Sequence, residues 1–154
     1  MNILAIDPSV TKPVAIVSNL PLYDGQAVTG DGMYVGAIKE TDFLVRRLFR
    51  IMSANSKGVL VIESPPYMPH QNQGNLHQRI GMMKSPFICG GWQIVDVNPR
   101  TWQKGVLGHG GMKSDQVKQM SKEKASELTG EPIASDDLAD AICIFHWYRK
   151  QEQR

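Results

Sequence analysis

The side chains best suited to chemistry in this chain are four carboxylates carried by three distant segments. Asp7 directly follows the apolar run Ile3-Leu4-Ala5-Ile6, and Glu63 directly follows Val59-Leu60-Val61-Ile62. Asp137 and Asp140 stand three apart in Ser135-Asp136-Asp137-Leu138-Ala139-Asp140, so on a helix they point the same way. Brought together, such acids repel one another unless protons or cations neutralise them. An all-oxygen donor set without paired His or Cys favours Mg²⁺, with Mn²⁺ as a substitute, over Zn²⁺. Two ions about 4 Å apart can activate a water and stabilise the leaving oxygen of a phosphodiester. Hydrolysis of a nucleic-acid backbone is the implied chemistry, with Asp7, Glu63, Asp137 and Asp140 as catalytic and metal-ligating residues.

Each acid also has an ordinary explanation. Asp136 and Asp137 after Ser135 suit a helix N-terminus, where the dipole favours negative charge. Asp7 before Pro8 suits a turn, and Glu63 before Pro65-Pro66 suits an exposed strand end. Asp140 fits less easily: set beside Leu138, Ala141, Ile142 and Phe145, it meets a desolvation cost unless it has a partner.

These acids need elements to position them. The apolar runs at 2–6 and 13–17 flank turn-like residues and read as a hairpin, with a third strand over 32–38. Thr41 caps a helix in which Phe43, Leu44, Leu48, Ile51 and Met52 recur with helical spacing. The solid apolar run 58–62 has the character of a central strand buried on both faces. A helix over 71–84 places Leu76, Ile80 and Met83 on one stripe that Phe87 continues, and 92–97 returns to alternation. Residues 98–111 read as a glycine-rich basic connection. Ser114 then caps a helix to about 128, and Ser135 caps a last helix to about 148. The order βββαβαβαα predicts one α/β domain over 1–154, a mixed sheet of about five strands flanked by helices. In open α/β sheets, sites gather where strands end near a topological switch point.

Composition excludes several classes. With 154 residues, 42% hydrophobic and 21% charged, the chain is neither disordered nor collagenous, and no apolar run approaches the ~20 residues of a membrane helix. Cys89 and Cys143 form no CxxC pair, which fits a reducing cytoplasm. His70, His77, His109 and His146 lack metal-ligand spacing.

A net charge of +2 does not announce a nucleic-acid partner, but the charge is uneven. Between Asn98 and Ala125, Arg100, Lys104, Lys113, Lys118, Lys122 and Lys124 face only Asp115 and Glu123, six minus two, or +4. Arg100, Lys104, Lys113 and Lys118 are candidate contacts to DNA phosphates, together with the loop Gly108-His109-Gly110-Gly111, whose amides can approach closely. A solvated helix face explains Lys118 to Lys124 equally well. Tyr67 and Met68, just beyond Glu63, could wedge between bases or pack beneath their own proline loop. The stripe Leu76, Ile80, Met83 and Phe87 suits either a core or the seam of a two-fold dimer.

Five segments also carry a resemblance. Ile3-Leu4-Ala5-Ile6-Asp7-Pro8, Val59-Leu60-Val61-Ile62-Glu63, Asn98-Pro99-Arg100 through Val106-Leu107-Gly108, Lys113-Ser114-Asp115-Gln116-Val117 and Asp137-Leu138-Ala139-Asp140-Ala141 occur in an order similar to that of the RuvC family of Holliday-junction resolvases. The resemblance implies a ribonuclease H-like fold, a homodimer, Mg²⁺-dependent paired nicking of four-way DNA junctions, and a catalytic quartet at Asp7, Glu63, Asp137 and Asp140. It prefers Asp137 to Asp136 as the third acid and assigns DNA or scissile-phosphate contacts to lysines resembling Lys104 and Lys113. It also favours an aromatic in the loop after Glu63 and a dimer seam near the following helix.

With two departures, the sequence resembles a divergent, phage-type member of that family. Asp7-Pro8-Ser9 stands where the family usually has Asp-Pro-Gly, and Ser64-Pro65-Pro66-Tyr67-Met68-Pro69 replaces a loop ending in an aromatic. A bacterial cytoplasm, or that of a host, is the expected location. The competing readings are a ribonuclease H-like nuclease acting on RNA and a non-catalytic junction binder. An actin-like ATP-binding domain is set aside, because its phosphate loops and much of its chain length are missing.

Overall fold

The apolar runs become adjacent strands of a single mixed sheet. The structure, a computed structural model, describes residues 1–9, 13–21, 27–38, 46, 48, 50, 57–66, 68 and 73–153. The strands are β1 (Asn2–Asp7), β2 (Val14–Ser18), β3 (Ala27–Val28), β4 (Tyr34–Ile38), β5 (Gly58–Glu63) and β6 (Gln93–Val97), in the order β3-β4-β2-β1-β5-β6. β1 pairs antiparallel with β2 and parallel with β5, with Leu4 opposite Leu60 and Ile6 opposite Ile62. β5 in turn pairs parallel with β6. Among the described residues the sheet therefore has six strands rather than about five. The added strand, β3, has two exposed residues, too few to leave an alternation in the sequence.

Among the described residues, four helices follow β5: α1 (Gly74–Cys89), α2 (Pro99–Leu107), α3 (Ser114–Thr129) and α4 (Asp136–Glu152). Of the helix expected from Thr41, residues 46, 48 and 50 are helical and Leu48 is fully buried; Thr41, Phe43, Leu44, Ile51 and Met52 lie outside the described residues. The connection expected at 98–111 is instead mostly α2. Its signals are local: the Asn98 side chain caps the Arg100 N–H at 2.9 Å, Pro99 takes the first helical position, and Gly108 ends the helix at φ +80°. The cap position of α3 is Lys113, whose side chain makes no capping bond, and Ser114 is the first helical residue. Ser135 does cap α4, accepting from Leu138 N–H at 3.3 Å, and α4 runs a turn beyond 148. α1 continues through Pro86, closing where Gly90 N–H bonds the Pro86 carbonyl at 2.9 Å.

Strand alternation divides the interior into two layers. Ile3, Ala5, Ala15, Val17, Val59, Val61 and Val97 face α2, α3 and α4, whereas Leu4, Ile6, Val14, Ile16, Leu60 and Ile62 face α1 and Leu48. The stripe read as a possible dimer seam belongs to the second layer. Ile80 is 2% exposed, Met83 and Phe87 are 0%, and Leu76 packs against them. The seam assignment is therefore corrected for Ile80 and Met83, which are consumed in the monomer core, where burying each against the sheet is worth about 2 kcal/mol; Leu76 is half-buried at the margin of the same layer.

Candidate active site

The same alternation aims two of the acids. Asp7 continues the parity of Ile3 and Ala5, and Glu63 that of Val59 and Val61, so both fall on the side of the sheet covered by α4. Because β1 and β5 are parallel and in register, Asp7 and Glu63 end neighbouring strands at the same edge. Small residues on both surfaces, Ala5 and Ala15 below and Ala139 and Ala141 above, are fully or almost fully buried and let α4 lie close on the sheet. That approach brings Asp140 beside Glu63 at the end of β5, with Asp137 one turn earlier on the same helix.

Electrostatics show how closely the acids are packed. Burial raises the Glu63 carboxyl to about 7; the Trp102 indole opposes the shift and the Asp140 charge adds to it. Burial likewise raises Asp140 to about 6, with the Ser121 hydroxyl opposing, the charges of Asp137 and Asp136 adding, and Lys118 opposing. Asp140 Oδ1 is buried and has no hydrogen-bond partner among the described residues. Asp7 is 8% exposed and Asp137 half-buried. The Cys143 thiol, beneath the site, is pushed up to about 12 by burial and then by Asp140.

The surrounding residues separate the two adjacent acids of α4. Asp136 is ion-paired to α3, with Lys122 Nζ at 3.0 Å and Lys118 Nζ at 3.8 Å. Asp137 instead lines a groove of about 320 Å³ with Pro13, Ala15, Val35 and Leu138. Two contributors carried no motif. Trp102 is completely buried and donates its indole N–H to Glu63 Oε2 at 2.6 Å, and Ser121 lies buried beside Asp140. Trp102 could have been found from its polar handle, since a buried indole N–H requires an acceptor.

The predicted DNA contacts are distributed around this edge. Met68 and Arg100, both exposed, share a groove of about 240 Å³ with Pro65, Pro66, Gln73 and Asn98, directly beyond Glu63. Lys104 and Lys113 are exposed on α2 and at the start of α3, whereas Lys118 leans onto Asp136 and the acid cluster. Tyr67 and His70 lie outside the described residues.

As they stand, no three His, Cys, Asp or Glu side chains among the described residues are arranged to hold a metal ion. What suits a cation is the chemistry: oxygen donors only, an orphaned carboxylate oxygen, and charges that burial and mutual repulsion leave uncompensated.

Comparison with solved structures gives the fold a context. Thermus thermophilus RuvC superposes with a TM-score of 0.69 at 16% identity, covering 99% of this chain and 97% of that one. T. thermophilus RuvC in complex with a Holliday junction substrate gives 0.70 at 16%, covering 99% and 96%. Fowlpox virus resolvase in complex with substrate Holliday junction DNA gives 0.64 at 15%, covering 100% of both chains. The chain thus shares the α/β fold of these resolvases. No protein-family model matches it, and neither does any curated protein.

Proposed function

We propose that this chain is a metal-dependent endonuclease that resolves four-way DNA junctions, with Asp7, Glu63, Asp137 and Asp140 as its metal ligands. The observation that carries the proposal is the convergence of Glu63 and Asp140, from a strand end and a helix, into one buried site where each carboxyl is held well above its ordinary pKa. The shared fold agrees, because the RuvC and fowlpox proteins were each solved with junction DNA. Mg²⁺ or Mn²⁺, two per site, would neutralise the acids, polarise the phosphodiester and lower the pKa of the attacking water.

The chain's own residues hold that site ready. The Trp102 indole fixes Glu63 against rotation. Ser121 flanks Asp140, the lysine pair engages Asp136, and Asp137, on the groove, is taken as the third acid. Lys118, beside Asp140, brings positive charge to where a scissile phosphate would lie. Arg100, Lys104 and Lys113 supply sequence-independent phosphate contacts, and Met68 with the proline groove offers an apolar surface to bases splayed at a junction centre.

Resolution requires two symmetric incisions, and a two-fold homodimer provides both. With Ile80 and Met83 in the core, the seam moves to the outward face of α1. Every fully exposed residue of that helix is uncharged, Gln78, Met82, Ser85 and Cys89 form a stripe, and Met82 is 43% and Ile88 59% exposed. A reducing cytoplasm suits Cys89 and Cys143, which are free thiols.

The test is cleavage of labelled four-way, forked and linear DNA in Mg²⁺, in Mn²⁺ and in EDTA. Paired nicks confined to the four-way substrate and dependent on metal are expected. Binding without incision in either metal, or equal cutting of linear duplex, would overturn the proposal.

A further inference from the structure

The helical layer that covers the acids ends in a second concavity. α2, α3 and α4 each approach the carboxylates early in their course, through Trp102, Lys118 and Asp140. Further along the same three helices, Val106, Lys124, Leu128, His146, Arg149 and Lys150 line a pocket of about 400 Å³. Nine positions of α4 separate Asp140 from Arg149, about 14 Å of helix rise. The pocket is therefore a separate site.

Its lining is of two kinds. Val106 and Leu128 make an apolar wall, beside Gly105, where the Trp147 ring lies so close that an added Cβ would stand 2.6 Å from Cδ1. Three cations form the rim. Arg149 lies 5.8 Å from the centroid of the Phe145 ring, and neither it nor Lys150 has a carboxylate partner among the described residues, although both are exposed. Lys124 comes from α3 and holds both oxygens of the exposed Glu127 at 2.9 Å. Burial lowers the His146 pKa, so this ring adds surface more than charge at neutral pH. The helix dipole accounts for cations at the end of α4. It does not account for a lysine from another helix, nor for the apolar wall beside them.

A DNA backbone would meet the cations but leave Val106 and Leu128 uncovered, and a convex duplex does not enter a concave pocket of this size. An extended acidic peptide with one bulky apolar side chain satisfies both halves. We propose that this pocket is a docking site for an acidic, hydrophobically anchored segment of a partner protein. The proposal does not depend on the nuclease reading.

The experiment is fluorescence anisotropy with the labelled peptide Ser-Asp-Asp-Glu-Asp-Leu-Phe, alongside a control in which Gly-Ser replaces Leu-Phe. Saturable binding of the first peptide is expected, weakened about tenfold or more by Arg149→Glu and by Lys150→Glu, much weaker for the control peptide, and not displaced by unlabelled four-way DNA. Circular dichroism checks folding. Should loss of the Phe145 contact unfold Arg149→Glu, Lys150→Glu decides. Failure of the wild-type protein to bind, or equal binding by both peptides or by the charge-reversed variants, overturns the proposal. Displacement by junction DNA, with a matching loss of DNA affinity in the variants, assigns the pocket to nucleic acid instead.

Discussion

The two faces of the sheet are built from the same strands and differ in what they bury. Toward α1 the strands offer Leu4, Ile6, Leu60 and Ile62, and the helix answers with Ile80, Met83 and Phe87, apolar against apolar. Toward α4 the same strands end in Asp7 and Glu63, and the helix answers with Asp137 and Asp140 among Ala139, Ala141 and Ile142. On the first face burial stabilises each side chain. On the second it opposes the charge on Glu63 and Asp140, and Asp140 Oδ1 has no hydrogen-bond partner among the described residues. A site of this kind stores an unfavourable charge arrangement that a bound cation relieves, while the opposite face supplies the stability that tolerates it.

The sharpest way to break this contrast is to put a charge on the apolar face. Ile80→Asp should destabilise the protein by about 5 kcal/mol, enough to unfold it, and chemical denaturation measures the loss. A soluble, folded Ile80→Asp monomer would return Ile80 to a surface and reinstate it as a dimer contact. Met82→Asp, on the outward side of the same helix, should instead remain folded and shift the sedimentation coefficient toward the monomer.

On the polar face, Glu63→Gln and Asp140→Asn should each lower metal-dependent cleavage by about 10³-fold, since they remove charge used in the reaction, while gel-shift affinity for a junction is retained. Cleavage at the wild-type rate would remove that acid from the site. Asp137→Asn should fall with them, and Asp136→Asn, whose parent is held by lysines, should be mild. The reverse ranking would exchange the roles of these two neighbours.

Without metal, the same substitutions should act oppositely on stability. Glu63 has a folded pKa of about 7 against 4.5 for the free side chain. The folded state therefore keeps its proton longer than the unfolded state does, and the group destabilises progressively as pH rises from 4.5 to 7. In EDTA, Glu63→Gln should be as stable as wild type near pH 4, gain on it up to pH 7, and lead by about 3 kcal/mol beyond that. A pH-independent difference in thermal unfolding would show that the carboxyl is well solvated. The smallest effect belongs to the exposed rim: Lys104→Ala and Lys113→Ala should each reduce the slope of log binding against log salt by about one unit. An unchanged slope would make them solvated surface only.

Much of the site was legible before any fold was known. Continuous apolar runs put Asp7 and Glu63 at the ends of buried strands, and the i,i+3 spacing put Asp137 and Asp140 on one side of a helix opened by Ser135. Residues 98–111 were misjudged because their glycines and lysines obscured an Asn98-Pro99 start and a Gly108 stop, both present in the sequence. The stripe at Leu76, Ile80 and Met83 was correctly helical but ambiguous in destination, since a periodic apolar face records that something covers it and not what does.

The sequence by itself determined five of the strands, the capped final helix and the positions of the candidate acids along them, because those depend on contacts and preferences within a few residues. Only the tertiary structure decided that Trp102 reaches Glu63 across 39 positions, that Lys122 and Lys118 pair with Asp136, and that burial raises the Asp140 carboxyl. Hydrogen bonding and desolvation depend on distance in space, and the chain fixes that distance only when its layers close.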